Sequence, residues 1–207
     1  TVAQIRTHKS ERQVDDSIFN QDEWAVRYKR RGLPLLTEIL TLSAQGQAVE
    51  FALGAFDPTL LSVKTWLEAR TAFWAERVNL ETAQLLMAEL AEARANGESI
   101  PQIQLRVEKV FRFNDMVRSE RIARTETLAA SNQGHLAVYE QSGVVEEKMW
   151  LATLDERVRA AHAEAHRQVV PRGGKFLVGG EMLDAPGVGG RADNVISCRC
   201  TTIPILR

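Results

Sequence analysis

Cysteine is scarce in this sequence, and long apolar runs are absent. Two cysteines among 207 residues are too few for a disulfide scaffold, so a reducing compartment is expected. No apolar run comes near the roughly 20 residues that a membrane-spanning helix needs. Hydrophobic residues still make up 44% of the chain, which is enough to bury a core. The composition therefore predicts a globular protein without a membrane partner.

A surplus of positive charge is also missing. The chain has 26 Lys and Arg residues against 27 Asp and Glu residues, for a formal net charge of −1. The locally basic stretch YKRR, at residues 28–31, is explained by a solvated helix face. Dedicated nucleic-acid-binding proteins usually carry a basic excess or a basic stripe. DNA is therefore not predicted to be the principal ligand.

Helical patterns occupy the first two thirds of the chain. Asp57-Pro58 supplies an N-cap and a first helical position, and apolar residues at helical spacing follow it. Asn79 predicts the start of another helix, which ends at Asn96-Gly97. Ser99 with Gln102 fits a capping box that opens the next helix.

The composition changes after a short helix predicted at residues 154–167. Glycine pairs at 173–174 and 179–180 predict hairpin turns between short β-prone stretches. The last ten residues can alternate as a strand, in which Pro204 favours an edge position. The predicted fold class is α+β and mainly α, with an elongated helical N-terminal half. A small α+β module with short hairpins and a C-terminal strand follows it.

The last long predicted helix runs from residue 114 to a C-cap at Ser142-Gly143 and carries polar residues within its apolar stripe. Thr125 and Asn132 interrupt this stripe, and Arg124 and Glu126 flank it. Buried polar groups need partners, so Thr125 and Asn132 are predicted to hydrogen-bond to the neighbouring module. The alternative is an ordinary helix with solvated charges.

Four polar residues share one face of the helix predicted at 154–167. Asp155, Arg159, His162 and His166 stand at positions i, i+4, i+7 and i+11. In a helix, Asp155 can pair with Arg159, and His162 can donate to a carboxylate or a carbonyl group. The row is interpreted either as a solvent-facing ladder of ion pairs or as the wall of a buried polar interface.

The histidines and cysteines together suggest a metal site as a less favoured alternative. His162 and His166 have the spacing at which two imidazoles can share a metal ion, and Cys198 and Cys200 would complete a Cys₂His₂ zinc site. A C-x-C pair is not the usual zinc knuckle, and a disulfide within it would be strained. We expect two buried, reduced cysteines and no cofactor.

Catalytic motifs are missing as well. The chain has no G-x-S-x-G elbow, no phosphate-binding loop and no H-E-x-x-H pair. A cysteine nucleophile with His162 as its base would also need an oxyanion site, and no residue pattern marks one. The sequence therefore predicts no catalytic residue and no small-molecule substrate.

An ordered series of motifs in the last third resembles the phage Mu F-like family of head morphogenesis (minor head) proteins. The series comprises IARTET at 122–127, Asn132, Tyr139 before SGV, KMWLATLDERVRAAH at 148–162, Phe176, the APG loop around Pro186 and the terminal CRC. Its most specific part is W-x₄-D-x₂-V-R-x₂-H, from Trp150 to His162, followed by C-R-C. Two positions depart from the family pattern: Ser197 replaces a common Asn, and His166-Arg167 replaces a short turn with Gly.

The resemblance implies a structural virion component near the portal vertex and the capsid interior. Such a protein is made in the host cytoplasm and acts in head assembly and in genome packaging or delivery. Its implied partners are the portal protein and other head proteins, with packaged DNA nearby. The implied domains are a variable helical region at residues 1–118, which contacts the portal or capsid, and the family module at 119–207.

The resemblance also implies roles for the singled-out residues. The first set forms a structural polar network: Arg124, Thr125, Glu126, Asn132, Asp155, Arg159 and His162. The second set, Cys198, Arg199 and Cys200, belongs to a strand that closes the module. Because His166 falls where the family pattern has no ligand, the less favoured zinc alternative reduces to His162, Cys198 and Cys200. Two alternatives to the structural role stay open: an enzyme or toxin-like module that uses an Arg/Glu/His cluster, with or without zinc, and a DNA-binding packaging accessory.

Overall fold

A computed structural model describes residues 21–206, so the first 20 residues of the predicted helical region lie outside the described residues. Three long helices come first: α1 (Gln21–Glu50), α2 (Leu61–Ala95) and α3 (Ile100–Ser142). The strands and short helices that follow are β1 (Val145–Leu151), α4 (Ala160–Glu164), β2 (Val169–Pro171), β3 (Phe176–Val178), β4 (Glu181–Leu183), α5 (Ala192–Val195) and β5 (Thr201–Leu206). The predicted fold class, mainly α with a small α+β module and a C-terminal strand, is confirmed. None of the helices within residues 21–206 is long and apolar enough to cross a membrane.

Some ends of the long helices follow local signals, but two predicted breaks do not exist. Ser99 N donates to Gln102 Oε1 at 2.8 Å just before α3, as a capping box requires. Gly97 adopts a φ of 62° after α2, and Gly143 adopts a φ of 68° after α3. Helix α2 runs without interruption through residue 79, so the predicted helix start at Asn79 is wrong. Residues with good helix propensity stand on both sides of Asn79, and a capping side chain alone does not end a helix. Helix α3 runs without interruption through residue 114, so the separate helix predicted to start there is wrong. Helix α2 begins at Leu61, so the start predicted at Asp57-Pro58 is wrong as well.

The described chain divides into two compact units. The first contains residues 21–31 and 69–116, and the second contains residues 32–68 and 117–206. In the first unit, Arg106 on α3 pairs with Glu89 on α2 at 2.8 Å and with Glu98 at 2.7 Å.

In the second unit, α1 and α3 approach so closely that one position tolerates only glycine. An added Cβ on Gly134 of α3 would fall well inside van der Waals contact with the Leu40 carbonyl oxygen of α1 and 3.2 Å from Ala44 N. Leu40 and Ala44 are themselves fully buried. Beside them, Ser43 Oγ donates to Ser131 Oγ at 2.9 Å. Backbone contact at this crossing fixes the position of α3, which carries part of the candidate site.

The C-terminal part contains two antiparallel sheets. The larger has the strand order β2-β1-β5, with Met149 of β1 opposite Ile203 of β5. Strand β5 is an edge strand, as Pro204 predicted, because proline cannot donate to a second neighbour. Strands β3 and β4 form a hairpin through Gly179 (φ 56°) and Gly180 (φ 79°), a two-residue turn with two positive φ angles.

Two local predictions in this part are wrong. The glycines at 173–174 connect β2 to β3, which lie in different sheets, so they do not form a hairpin turn. Helix α4 covers only Ala160–Glu164 instead of residues 154–167. The Asp155 carboxylate accepts a hydrogen bond from Arg157 N at 3.0 Å, which stabilises a turn where the helix was predicted.

Candidate functional site

Two buried polar side chains of α3 bind the backbone that leads into β5. Asn132 Oδ1 accepts hydrogen bonds from Thr202 N and Thr201 Oγ1, both at 3.1 Å, and Asn132 Nδ2 donates to Cys200 O at 3.2 Å. Thr125 Oγ1 accepts from Ser197 N at 3.0 Å. Asn132 is 1% exposed, so these bonds form away from water. Thr125 and Asn132, the two polar residues within the apolar stripe of α3, thus contact the terminal segment.

A third residue of α3, Tyr139, joins the same strand to α1. Its hydroxyl lies 2.8 Å from Gln47 Oε1 and 2.9 Å from Thr202 O. Burial raises the pKa of the Tyr139 hydroxyl, so it stays neutral and can donate. The sequence motif contained Tyr139, but its place in this junction was missed because Gln47 is 92 residues away.

Asp155 pairs with Arg199. The predicted pairing of Asp155 with Arg159 is wrong. The two side chains form a bidentate ion pair, in which Arg199 Nη2 donates to Asp155 Oδ1 at 2.6 Å and Arg199 Nη1 contacts Asp155 Oδ2. The guanidinium holds the pKa of Asp155 well below its usual range. The predicted pairing fails because residue 155 lies in a turn, outside α4. Arg159 Nη2 instead donates to Ile196 O at 2.6 Å.

Arg124, one of the two charges that flank the stripe of α3, pairs with a residue of its own helix. Arg124 forms an ion pair with Glu120, one turn earlier on the same helix, at 2.6 Å. Both side chains are more than half exposed. Glu126 is half-buried on the same helix. The described contacts therefore centre on Thr125 and Asn132 and do not include Arg124.

His162 and the two cysteines converge in the buried interior. His162 Nδ1 lies 3.6 Å from Cys198 Sγ and 3.3 Å from Cys200 Sγ. All three residues are at least 95% buried, and both cysteines are free. The His162 ring packs edge to face against Trp150, with centroids 5.6 Å apart. We refer to His162, Cys198 and Cys200 as the thiol–imidazole cluster.

His166 does not take part in this cluster. Its Nδ1 accepts a hydrogen bond from Ala152 N at 3.1 Å. Among the described residues, the set with metal-ligand potential contains His162, Cys198 and Cys200 without His166. The predicted Cys₂His₂ combination is therefore wrong, because α4 ends at Glu164 and His166 lies beyond its last turn.

The two thiols have opposite pKa shifts because they share a hydrogen bond. The contact with Cys200 lowers the pKa of Cys198 to about 7. The same contact, together with burial, raises the pKa of Cys200. Cys200 N also donates to Cys198 Sγ at 3.4 Å, which stabilises negative charge on that sulfur. The first proton thus leaves the pair more readily than the second.

A cleft of about 940 Å³ opens over the cluster, and all three cluster residues line it. Arg124, Arg157, Arg159 and Arg199 also contribute to its wall. The Asp155 carboxylate offsets part of this positive charge, since it contacts Arg199 and lies 3.9 Å from Arg157. This cleft, which is lined by four arginines and by the thiol–imidazole cluster, is the candidate site of the chain.

Sequence reasoning missed one buried charge near this region. Lys148 is 2% exposed, and its Nζ donates to Asp184 O at 2.7 Å and lies 5.3 Å from the Phe176 ring centroid. Burial lowers the pKa of Lys148 to about 8. The sequence contained a signal for the burial of Lys148. Lys148 precedes Trp150 by two residues, and strand alternation places both side chains on one face.

The strand predicted to contain Cys198, Arg199 and Cys200 begins only at Thr201, so that placement of these three residues is wrong. The features above define a helical protein with a small α+β module whose two cysteines stand just before the last strand. The family model described as Phage Mu protein F like protein matches residues 84–203, which is more than half of the chain. The chain belongs to this family, as its motif series predicted.

Three curated relatives extend this result. The chain is 29% identical over 134 residues to minor head protein GP7 of Bacillus phage SPP1, covering 63% of this chain and 43% of that protein. It is 29% identical over 140 residues to the uncharacterized protein YqbB of Bacillus subtilis, covering 65% and 44% respectively. It is also 34% identical over 89 residues to the NAD(+)–arginine ADP-ribosyltransferase EFV of Enterococcus faecalis, covering 42% and 18%. The chain spans less than half the length of each of these relatives, and no solved structure gives a significant match.

Proposed function

We propose that this chain is a structural minor head protein of a tailed phage or a phage-derived particle. It is located in the virion, near the portal vertex and the capsid interior, and acts in head assembly and in genome packaging or delivery. The observation that carries this proposal is the family match over residues 84–203, together with the similarity to a minor head protein. Its partners are the portal protein and other head proteins, with DNA nearby.

The contacts of the polar residues favour a structural role. Asn132, Thr125 and Tyr139 use their side chains to bind the backbone of residues 197–202. Asp155 and Arg159 likewise bind Arg199 and Ile196 O. Groups that are committed to such contacts hold α3, the turn before α4 and the terminal strand together. On this proposal the helical region 1–118 makes the portal or capsid contacts, and the module 119–207 is the part that these polar contacts hold together.

The relative named as an ADP-ribosyltransferase favours a second candidate, an enzyme or toxin-like module. The match covers 42% of this chain and 18% of that relative, so the similarity alone does not carry the relative's activity to this chain. Arg124 and His162 line the cleft, but Glu126 is not among the residues that line it. We therefore propose a non-enzymatic role.

Helix α1 offers a surface for a head-protein partner. Leu35, Leu42 and Val49 are spaced seven residues apart and are 59%, 61% and 84% exposed. Residues at this spacing lie near one face of a helix, which suits packing against an apolar surface of another protein. We call these three residues the α1 stripe and assign it to the portal or capsid contact.

The proposal is tested by locating the chain in particles of the phage or prophage that encodes it. Mass spectrometry of purified heads is expected to detect the chain in few copies. A photoreactive amino acid at position 42 or 49 of the α1 stripe is expected to cross-link to the portal protein. The matched control is position 177, because Leu177 is 56% exposed but lies on the module hairpin.

The outcomes separate the parts of the proposal. Absence of the chain from purified heads would overturn the structural head-protein role. Cross-links from positions 42 and 49 to the major capsid protein alone would keep that role and contradict the portal contact. Equal cross-linking from position 177 would show that the α1 stripe is not the contact surface.

A further inference from the structure

We propose that His162, Cys198 and Cys200 form a zinc-binding site with three protein ligands and a fourth coordination position that opens to the arginine-lined cleft. The proposal goes beyond the head-protein role, which requires no metal ion. It rests on the position of three ligand atoms, on their burial and on the charges around them.

The three ligand atoms already have nearly the separations that zinc would impose. Zinc binds sulfur at about 2.3 Å and nitrogen at about 2.0 Å, so tetrahedral angles place a sulfur and a nitrogen about 3.5 Å apart. The observed distances from His162 Nδ1 are 3.6 Å to Cys198 Sγ and 3.3 Å to Cys200 Sγ. All three atoms lie within 4.8 Å of one another. Both nitrogen–sulfur separations therefore already suit a zinc ion.

The backbone arrangement brings both sulfurs to one side. Cys198 and Cys200 stand just before β5, and both of their sulfurs lie within 3.6 Å of His162 Nδ1. Arg199, between them, points away and pairs with Asp155. This pair holds the C-x-C segment in position from the opposite side. A C-x-C pair can thus present two ligands to one ion although it lacks the usual knuckle.

The local charges are compatible with a buried ion. Zinc with two thiolates and a neutral imidazole is formally neutral, so its burial avoids the large cost of an isolated charge. Cys200 N donates to Cys198 Sγ at 3.4 Å, the kind of bond from outside the ligand set that orients a metal thiolate. The four arginines of the cleft wall do not face a net positive site.

The fourth position is left for a small ligand. His166 is bound to Ala152 N, and the described residues supply no fourth ligand to the group. All three ligand residues line the cleft, so a water molecule or a small anion can reach the ion. Three protein ligands with an open position differ from the closed four-ligand sites that serve a purely structural purpose.

The competing explanation is a metal-free cluster in which thiols donate to the imidazole. Cobalt(II) distinguishes the two, because cobalt bound by thiolates absorbs in the near ultraviolet through charge transfer from sulfur. We titrate the full reduced chain with Co²⁺ alone and then add Zn²⁺. The expected result is a charge-transfer band that saturates near one equivalent and disappears as zinc displaces cobalt. Elemental analysis of the chain as purified is expected to find about one zinc per chain.

Two variants assign the ligands. Cys200→Ser is expected to weaken Co²⁺ binding at least tenfold and to reduce the band. His135→Gln is the matched control, since His135 is also a buried histidine but lies outside the cluster, and it is expected to bind like the wild type. A folded wild-type chain with no charge-transfer band would overturn the site, and so would a band of unchanged intensity and affinity in Cys200→Ser. If the variant fails to fold, the wild-type titration still decides, and neither result depends on the presence of the chain in heads.

Discussion

At the scale of single residues, Arg199 lies between the two cysteines of the thiol–imidazole cluster and itself forms an ion pair outside that cluster. Its neighbours Cys198 and Cys200 turn towards His162, while its own side chain turns to Asp155 in the turn before α4. The ion pair is partly exposed, with 35% of the Arg199 side chain and 27% of the Asp155 side chain accessible. Its bidentate geometry makes it stronger than an ordinary surface pair.

The Asp155–Arg199 pair predicts a pH-dependent stability. Because the folded-state pKa of Asp155 is lowered, the pair stabilises the fold above the unfolded-state pKa of about 3.9 and loses this effect as the pH falls further. We expect Asp155→Asn to lower the free energy of unfolding at pH 7, and the difference from the wild type to shrink below about pH 4. Urea unfolding followed by circular dichroism at a series of pH values measures this. Asp193→Asn is the control, because its pair with Arg191 is about two-thirds exposed and contributes little; an equal loss in both variants would contradict the prediction.

At the scale of secondary structure, local signals predicted most of the helices and one turn, and long-range contacts decided the rest. The capping box at Ser99 and the glycine turn at 179–180 depend only on neighbouring residues, so the sequence was sufficient. The helix predicted at 154–167 failed because Asp155 found partners in its own turn and in Arg199. Thr125 and Asn132 could be singled out because they interrupt a stripe. His162 and both cysteines were likewise grouped from the sequence as a less favoured metal site, but His166 was included with them, because the end of α4 at Glu164 depends on packing that the local pattern does not show.

The crossing of α1 and α3 gives a prediction for this scale. Gly134→Ala is expected to destabilise the chain by about 2 kcal/mol or more, because a Cβ at this position would collide with backbone atoms of Leu40 and Ala44. Gly46→Ala is the matched control within α1, since no atom lies within 4 Å of its added Cβ. There the better helix propensity of alanine is expected to raise stability by about 0.5 to 1 kcal/mol. Thermal and urea unfolding of both variants measure the difference, and equal effects would show that the two helices do not approach as described.

At the scale of the whole chain, the compact units do not follow the order of the sequence. The second unit combines residues 32–68 with residues 117–206, so α1, α2 and α3 each contribute to both units. The module boundary that we propose at residue 119 therefore falls inside α3, close to the change of unit. Residues 32–68 lie on the other side of this boundary in the sequence, but they cover the α3 residues that lead into the module.

This arrangement predicts that the module alone is incomplete. Val138 and Tyr139 of α3 are buried in a cluster with Ala44, Ala48 and Leu53, all of which a fragment of residues 119–207 lacks. That fragment also loses the Gln47 partner of the Tyr139 hydroxyl. We expect it to bind a hydrophobic dye and to melt without a sharp transition, because its exposed α3 face has no cover. A fragment of residues 32–207 retains the cover and is expected to melt cooperatively. A sharp melt of the 119–207 fragment without dye binding would show that residues 32–68 are dispensable and that the module folds as an independent domain.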